Sequence, residues 1–343
     1  MIAGTPSLDA AVRSRPRLTL GQFPTPLEDA PGLSRRLGTR VLVKRDDLTG
    51  LALGGNKVRK LEFLLAEALQ QGSDCVITTG GSQSNHARLT AAACRRAGLD
   101  CYLVLDRGVH PEDQGNLLLD RLFGAHVDLI ESPDPTIAVE AMERMAEQLT
   151  GEGRRPYVIP RGGSVPPGAT GYAAFVAELL RQLDDRDLEV THLYLATGST
   201  GTHSGVMAGL AATGVPIRVE GISVSRSREL QEAKVAELSN ATLHHLGLTA
   251  NVAPSAVHVD DRFVGAGYGI PGPGTMEAVR IAALEEGLIL DPVYTGKALA
   301  GMIEHAREGR IDRTDTVAFL HTGGSPALFA YHRETADALK GPA

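Results

Sequence analysis

The sequence predicts an α/β protein whose two domains are open, twisted parallel sheets with helices on both faces. Short apolar runs alternate with longer amphipathic runs along most of the chain, as strands and helices do in doubly wound sheets. Glycine-rich polar turns follow several of the apolar runs. With 343 residues, the chain is long enough for about two domains.

The composition favours an ordinary globular protein and narrows the classes of partner. Hydrophobic residues make up 43% of the chain, and the net charge of −7 argues against non-specific nucleic-acid binding. Residues 1–15 lack the apolar core of a secretory signal, and no stretch reaches the roughly 20 apolar residues of a membrane span. Three cysteines without C-x-x-C spacing fit a reducing compartment. We therefore expect a cytoplasmic protein with no membrane partner and no metal ion.

The chain is predicted to begin with a loose arm at 1–16, rich in Ser, Arg and Pro. Alternation around Val41 then predicts a strand over 40–45, and apolar spacing predicts a helix over 58–71. A glycine-rich loop joins the two.

Four strand-and-helix steps follow and predict a smaller parallel-sheet domain over 61–167. Its predicted strands cover 75–79, 101–105, 126–130 and 157–159, with helices at 85–96, 112–122 and 137–149. The segment 160–171, rich in Gly and Pro, is interpreted as a loop that crosses between domains.

A second αβ series follows this loop and belongs to the larger domain, assigned to 17–60 and 168–343. Predicted helices cover 172–183, 203–212, 228–246, 276–286 and part of 294–307, and predicted strands cover 191–196, 217–224 and 316–321. Glycine-rich segments lie at 198–205 and 263–274.

The stretch Gly54-Gly55-Asn56-Lys57 places a lysine between a flexible turn and the start of a helix. Glycine lets the backbone approach a flat ligand, and Asn56 can cap the helix. The helix dipole disfavours the positive charge on Lys57, which lowers the pKa of the amine and makes it a better nucleophile and base. These properties suit a Schiff-base lysine, although a solvated lysine after a turn explains the same residues equally well.

Polar turns at the carboxyl ends of predicted strands are the candidate binding positions, because doubly wound sheets bind ligands there. The turn Thr197-Gly198-Ser199-Thr200-Gly201-Thr202 offers hydroxyls and backbone N–H groups at a helix start, which favours a phosphate over an ordinary turn. The turn that contains Ser84 and Asn85 can cap its helix and also hold a carboxylate. Tyr268 and Tyr294 can stack on a flat cofactor or act in acid–base chemistry, but each alone is more often a packing residue.

In combination these motifs resemble one family, that of D-cysteine desulfhydrases and 1-aminocyclopropane-1-carboxylate (ACC) deaminases. These are pyridoxal-phosphate enzymes of the tryptophan-synthase-β type fold, known as fold type II. The resemblance extends over about 18–331. Seven motifs carry it in order: Lys44-Arg45-Asp46-Asp47, Gly54-Gly55-Asn56-Lys57-x-Arg59-Lys60-Leu61-Glu62, Gln83-Ser84-Asn85-His86, the turn at 197–205, Tyr268-Gly269, Tyr294-Thr295-Gly296-Lys297 and His321-Thr322-Gly323-Gly324.

The resemblance implies a role for each candidate residue. Lys57 forms the Schiff base with pyridoxal phosphate, and Asn85 binds the ring hydroxyl. Lys60 and the 199–202 turn hold the phosphate. The remaining implied contacts are Ser84, Asn85 and His86 with the substrate carboxylate, Tyr294 stacked on the ring, Tyr268 over the substrate, and Asn56, Thr197, Gly198, Thr295 and Thr322 around the cofactor. Lys57, Tyr294, Tyr268 and Ser84 are the expected catalytic residues.

Two threonines point to one branch of the family. The deaminase branch has a glutamate facing the ring nitrogen at the position of Thr295. It has an apolar residue at the position of Thr322 and a residue like Gln at the position of His86. A carboxylate keeps the ring nitrogen protonated and makes a strong electron sink, which opening a cyclopropane requires. A hydroxyl makes a weaker sink, which suffices to expel sulfide. We therefore expect β-elimination of D-cysteine to pyruvate, sulfide and ammonia, with Lys57 as the base.

Several alternatives stay open. L-Cysteate sulfo-lyases, which release sulfite, resemble this family equally well around the cofactor, and the deaminase is a third reading. Neither the leaving group nor the substrate chirality follows from the sequence. The family resembles homodimers, so we expect one here. A non-catalytic ligand-binding protein is the alternative of another class. A P-loop kinase is disfavoured because Asn56 and Val58 break that motif.

Overall fold

The computed structural model describes residues 4–132 and 134–340, and these residues form two β-sheets. In chain order the strands are β1 (Leu27–Asp29), β2 (Arg40–Lys44), β3 (Cys75–Gly81), β4 (Asp100–Asp106), β5 (His126–Ile130), β6 (Pro156–Ile159), β7 (His192–Thr197), β8 (Arg218–Ser223), β9 (His258–Asp260) and β10 (Thr316–Leu320). The larger sheet has the order β1-β2-β10-β7-β8-β9 and the smaller one β5-β4-β3-β6. All neighbours run parallel except β1 and β2, which are antiparallel at one edge. The predicted α/β class is confirmed.

Helices cover both sheets. They are α1 (Thr5–Arg13), α2 (Pro31–Leu37), α3 (Lys57–Gln70), α4 (Asn85–Ala97), α5 (Gly115–Leu122), α6 (Pro135–Gly151), α7 (Pro166–Asp185), α8 (Gly201–Thr213), α9 (Arg228–Leu246), α10 (Pro273–Glu286), α11 (Thr295–Arg307), α12 (Ser325–Ala330) and α13 (His332–Leu339). Side chains of α7 and α8 form a core with one face of the larger sheet, and those of α10 and α11 form a core with the other. A third core joins α3 and α4 to the smaller sheet. Among the described residues, no helix has both the length and the apolar character needed to cross a membrane.

The loose arm predicted for 1–16 is wrong over 5–13, which form α1; residues 1–3 lie outside the described residues. Leu8 and Val12 of this helix are buried in the core around α7. The spacing of these two residues places them on one helix face, and Pro6 stands in the first turn, where proline is tolerated. The Ser, Arg and Pro content of the segment concealed this short amphipathic pattern.

The predicted crossing loop at 160–171 is shorter than expected, because α7 begins at Pro166. Gly168 and Gly171 therefore lie inside a helix. A Cβ atom on Gly171 would come within 2.2 Å of the Arg59 carbonyl oxygen, so glycine here lets α7 approach α3 closely. The glycines that indicated a loop instead permit close packing.

The two sheets divide their strands at the predicted domain boundaries, with β3 to β6 inside 61–167 and the other strands outside it. The assignment of two domains itself stays a prediction. The carboxyl ends of strands from both sheets open into one cavity of about 720 Å³. This shared edge is where ligand sites of doubly wound sheets are found.

Candidate active site

The cavity is lined by turns and loops that follow strands of both sheets. The smaller sheet contributes Gly81 at the end of β3, Asp106 at the end of β4 and Arg161 after β6. The larger sheet contributes Thr197 at the end of β7, together with residues that follow β8 and β10. A volume of about 720 Å³ lies within the range of small-molecule sites and holds a cofactor with a small substrate.

Lys57 and Lys60, in the first turn of α3, bring two amines to one carbonyl oxygen of the cavity wall, that of Gly162. The Lys60 Nζ donates to the Gly162 carbonyl at 3.0 Å, and the Lys57 Nζ contacts the same oxygen at 3.4 Å. Burial lowers the pKa of Lys57 to about 8. Burial and the nearby charge of Lys57 hold the pKa of Lys60 well below its usual value. The pKa of Lys57 is therefore shifted in the expected direction, with burial as the largest cause.

The two amines have no acidic partner in the part of the chain that the structure describes. No carboxylate there lies within 4.0 Å of either Nζ atom. A cation held largely away from water without a counter-charge is unfavourable, so the two amines favour the binding of an anion. This charge imbalance fits a phosphate ester that carries an aldehyde, because one amine can meet the phosphate and the other the carbonyl carbon.

The turn at 197–202 supplies the surroundings such a phosphate requires. Gly201 begins α8 between the cavity-lining residues Thr200 and Thr202, and the first backbone N–H groups of a helix lack intrahelical partners. A Cβ atom on Gly201 would come within 2.6 Å of the Lys60 Nζ, so this glycine lets the amine lie against the helix start. Thr200 has a left-handed backbone with φ of 79°, which shapes the turn. Thr197, Gly198, Ser199, Thr200 and Thr202 all line the cavity.

Asn56 lines the cavity but does not make the helix cap predicted for it. It stands at the N-cap position of α3, but its side chain makes no capping hydrogen bond. Its Nδ2 atom donates instead to the Thr202 Oγ1 at 3.0 Å. The side chain thus joins the start of α3, which carries Lys57, to the start of α8.

The loop after β6 belongs to the site, although the sequence analysis assigned it only to a domain crossing. A Cβ atom on Gly162 would lie 2.1 Å from the Ser199 Oγ, so only glycine allows this loop to pack on the 197–202 turn. The Ser164 Oγ accepts a hydrogen bond from the Gly201 N–H at 3.1 Å. The signal was present, because Gly162-Gly163 follows a predicted strand as the recognised turns do.

The start of α4 offers a second anion position. The Ser84 Oγ accepts from the Ala87 N–H at 3.2 Å, so Ser84 caps the helix as expected. The backbone N–H groups of Asn85 and His86 stand in the first turn, where a helix leaves such groups without intrahelical partners. Ser84, Asn85 and His86 line the cavity, which fits the binding of a carboxylate by these groups.

The imidazole of His86 does not support the predicted contact with a carboxylate. Its Nε2 lies 2.9 Å from the Thr78 Oγ1, and that hydroxyl donates to the Ile159 carbonyl at 2.7 Å. The hydroxyl hydrogen is therefore in use, so the Nε2–H must be the donor to Thr78. Burial, with the charges of Lys57 and Lys60, holds the pKa of His86 well below its usual value. The ring is neutral and turned to Thr78, which leaves only the backbone N–H of His86 for an anion.

Two tyrosines cover the cavity from the side of the larger sheet. The hydroxyl oxygens of Tyr268 and Tyr294 lie 2.5 Å apart, and their rings meet edge to face with centroids 5.9 Å apart. Burial raises the pKa of the Tyr294 phenol well above its usual value, and a phenol with an ordinary pKa near 10 is also protonated at neutral pH, so both hydroxyls are protonated. Tyr268 keeps 39% of its surface exposed, which places it at the cavity mouth.

The two threonines that guided the branch assignment have different surroundings. Thr322 lines the cavity, whereas Thr295 is wholly buried beside it. The Thr295 Oγ1 donates to the Asp291 Oδ1 at 2.7 Å, and it accepts from the Asp291 N–H at 2.8 Å. The same carboxylate receives the N–H groups of Val293, Tyr294 and Thr295. The predicted cofactor contact of Thr295 is therefore not supported, because its hydroxyl is used at the start of α11.

Two arginines of the cavity wall were not singled out from the sequence. The Arg161 Nη2 lies 2.8 Å from the Asp106 Oδ2, across the carboxyl end of the smaller sheet. Arg226 donates to the Gly198 carbonyl and, at 3.1 Å, to the Gln231 Oε1. Neither arginine belongs to a motif that can be recognised from local sequence spacing, because only the folded chain brings the two residues to the cavity wall.

Comparison with known proteins places this site in a family. The family pattern of the pyridoxal-phosphate dependent enzymes matches residues 18–323. The curated D-cysteine desulfhydrase of Salmonella typhi is 43% identical over 323 residues, which cover 92% of this chain and 96% of that protein. The crystal structure of an ACC deaminase homologue has a TM-score of 0.90 and 38% identity, covering 97% of this chain and 99% of that one. Threonine deaminase isoform 2 from Solanum lycopersicum, at 17% identity and a TM-score of 0.69, shares the fold.

These matches confirm fold type II and the resemblance stated from the motifs. The two unpaired amines and the turn at 197–202 give the reason in physical terms, because they fit an aldehyde with a phosphate. The chain belongs to the family of pyridoxal-phosphate dependent enzymes, and pyridoxal phosphate is its cofactor.

Proposed function

We propose that the chain is a D-cysteine desulfhydrase, which converts D-cysteine to pyruvate, sulfide and ammonia. The observation that carries the proposal is the identity of 43% to a curated D-cysteine desulfhydrase over 92% of the chain. The lining of the cavity agrees with this proposal, because Thr322 lies in the cavity wall and Thr295 supplies no carboxylate to the cavity.

The residues of the cavity divide the work of such a reaction among them. The Lys57 Nζ would hold the cofactor, and the same amine would take the α-proton, for which a pKa of about 8 is suitable near neutral pH. The Ser84 hydroxyl and the first-turn N–H groups of α4 hold the substrate carboxylate. Lys60 and the 199–202 turn hold the phosphate, and Asn56, Thr197 and Gly198 complete that wall. The cofactor, when bound, supplies the electron sink for the carbanion at Cα.

With the base and the carboxylate-binding groups arranged in this way, the reaction is an elimination. The C–S bond breaks with its electron pair on sulfur, which leaves as hydrosulfide while a C–C double bond forms. Tyr268 and Tyr294, both protonated, are the acids that face this part of the cavity. The released enamine takes up water and yields pyruvate and ammonia.

A second candidate is an L-cysteate sulfo-lyase, because Arg161 and Arg226 line the same cavity. A guanidinium suits a sulfonate better than a neutral thiol. Arg161 is already paired with Asp106 at 2.8 Å, so its charge is not free for a sulfonate, and the desulfhydrase is favoured. ACC deaminase is the third candidate, disfavoured because Thr295 stands where that branch has a glutamate and because Thr322 is polar.

Product analysis tests the proposal. Purified protein with pyridoxal phosphate is incubated separately with D-cysteine, L-cysteine, L-cysteate and ACC, and the acids and sulfur species are identified by mass spectrometry. The Lys57→Ala variant is the control for chemistry by free cofactor. Pyruvate and sulfide from D-cysteine are expected. Sulfite from L-cysteate, or 2-oxobutyrate from ACC, as the main product would replace the proposed activity.

We further propose a cytoplasmic homodimer. All three cysteines are free and buried, which agrees with a reducing compartment. The homodimer rests on the family resemblance. Sedimentation of the purified protein with cofactor tests it, and a monomer would contradict it.

A further inference from the structure

Asn116 of α5 lies behind the cofactor cavity and contacts the one side chain expected to bind the ring hydroxyl. It is fully buried, and no motif had marked it. Its Nδ2 atom lies 2.8 Å from the Gln83 carbonyl oxygen and 2.9 Å from the Asn85 Oδ1. A carbonyl can only accept, so the Asn116 atom that meets Gln83 must be the amide nitrogen. The same nitrogen then donates to Asn85.

The amide of Gln83 is oriented in the same way. Its Nε2 donates to two backbone carbonyls, those of His110 and Gln114, at 3.1 Å each. Its Oε1 therefore accepts, and it receives the backbone N–H of Asn116 at 2.9 Å. The amides of Gln83 and Asn116 are thus each oriented by backbone carbonyls, which can only accept. The Asn116 side chain donates both to the Gln83 carbonyl and to the Asn85 Oδ1.

We propose that Asn116 is a positioning residue that holds the Asn85 amide with its nitrogen toward the cavity. The Asn85 Oδ1 is occupied by Asn116, so Nδ2 is the atom that remains for a ligand. A fixed donor selects an acceptor, and the ring oxygen of pyridoxal phosphate in its anionic form is such a group. A reversed amide would set its oxygen against that anion. The inference rests on the proposed contact of Asn85 with the cofactor and leaves the identity of the substrate open.

The Asn116→Asp variant tests the direction of the hydrogen bonds while the shape of the side chain is kept. A carboxylate cannot donate to Asn85, so the Asn85 amide turns its nitrogen to residue 116 and its oxygen to the cavity. We expect the Kd of the apoprotein for pyridoxal phosphate to rise about 10- to 100-fold, as for a lost hydrogen bond to a charged group. The matched control is Asp120→Asn, one turn further on α5, which is buried and makes no hydrogen bond to Asn85. It is expected to leave the Kd unchanged.

A double-mutant cycle separates positioning from a general role in folding. In an Asn85→Ala background the donor is gone, so adding Asn116→Asp should change the Kd less than about 2-fold. Equal losses in both backgrounds would show that Asn116 acts only on the fold, and a wild-type Kd for Asn116→Asp would also overturn the proposal. If Asn116→Asp fails to fold, Asn116→Leu takes its place in the cycle. Because the titration uses pyridoxal phosphate alone, its outcome is independent of whether D-cysteine is the substrate.

Discussion

Helix α3 carries three cationic side chains within four residues, of which Arg59 and Lys60 are buried and Lys57 is partly buried. Lys57 lines the cavity, Lys60 contacts the cavity-lining Gly162, and neither amine has a carboxylate partner within 4.0 Å in the described part of the chain. Arg59, between them, faces the other way and is paired on both sides of its guanidinium. Each of these cations is costly to bury, but the chain compensates only one of them with its own acids.

The Arg59 cluster is electrically balanced. Arg59 makes bidentate contacts with Asp46 at 2.8 Å and with Glu178 at 2.9 Å. The Lys44 Nζ lies 2.5 Å from the Glu178 Oε1, and the Tyr172 hydroxyl donates to Asp46 at 2.6 Å. Burial alone would raise the pKa of Glu178, but Arg59 and Lys44 outweigh it and lower that pKa to about 2. Two cations and two anions leave no charge for a ligand.

The contrast separates structural cations from functional ones. A buried cation whose hydrogen bonds end on carboxylates holds elements of the fold together, here α3, α7 and the end of β2. A buried cation whose charge is left uncompensated is poised for an anion or for chemistry as a neutral amine. Substitutions on α3 should therefore affect function or stability according to the side that the residue faces.

The largest effect is expected from Lys57→Ala. We expect turnover to fall by at least about 1,000-fold, because the variant loses both the Schiff base and the general base. The apoprotein should remain folded, since no acid loses its partner. Absorbance of the bound cofactor and steady-state turnover check the first expectation, and circular dichroism checks the second. Retained turnover would contradict the assignment of Lys57.

Arg59→Met should reverse that pattern. It leaves Asp46 and Glu178 buried with one cation fewer, which lowers the free energy of unfolding by about 3–5 kcal/mol. Denaturant unfolding of the apoprotein measures this. Lys60→Met is the matched control on the same helix, because it removes a cation that has no acid. The apoprotein should then be no less stable, while its Kd for pyridoxal phosphate rises. Equal destabilisation by Arg59→Met and Lys60→Met would contradict the distinction between the paired and the unpaired cation.

The pH dependence of stability offers a sharper contrast. The pKa of Lys57 is about 8 in the folded apoprotein and near 10.5 in the unfolded chain. Between these values the unfolded chain binds more protons, so this lysine makes the free energy of unfolding rise with pH, by about 3 kcal/mol in all. Below pH 8 both states are charged and its contribution is constant.

The Lys57→Met variant should lack this rise. The free energy of unfolding of the wild type should therefore increase relative to that of the variant between about pH 8 and 10.5. Arg59 stays charged throughout, because the charges of Asp46 and Glu178 outweigh burial and raise its pKa. The difference between wild type and Arg59→Met should therefore stay flat over that window. Denaturant unfolding of the three apoproteins at several pH values measures both differences. If the free energies of unfolding of the wild type and of Lys57→Met changed in parallel with pH, the lowered pKa of Lys57 would be contradicted.

The sequence predicted the alternation of strands and helices well, together with Lys57 and the turns at 80–86 and 197–202. These features depend on local spacing and on glycine next to a strand. What it missed depends on contacts between distant residues. Nothing in Lys57-Val58-Arg59-Lys60 shows which cation meets Asp46 or Glu178, which lies 119 residues beyond Arg59. The role of Asn116, the hydroxyl of Thr295 and the glycines inside α7 were hidden for the same reason.

The smallest effect concerns a buried cation that belongs to neither class. Lys297 of α11 is wholly buried, and its Nζ donates to the backbone carbonyls of Val264 at 2.7 Å and Gly267 at 3.1 Å. Its partners are dipoles, and burial lowers its pKa to about 8. The two carbonyls lie just before Tyr268, and the Tyr331 hydroxyl donates to the Gly269 carbonyl just after it, at 2.7 Å. Lys297 therefore holds the loop that places Tyr268 over the cavity.

Lys297→Met removes two hydrogen bonds from this loop without leaving a buried charge unpaired. We expect the free energy of unfolding to fall by only about 1–2 kcal/mol, and the KM for D-cysteine to rise about 3- to 10-fold with a smaller change in kcat. Tyr331→Phe removes one hydrogen bond from the same loop and should shift KM in the same direction by less. A loss of stability with KM unchanged in both variants would mean that the loop holds only the fold. A raised KM would establish a third use of a buried cation, in which the partners are backbone carbonyls and the function is to position a neighbouring ring.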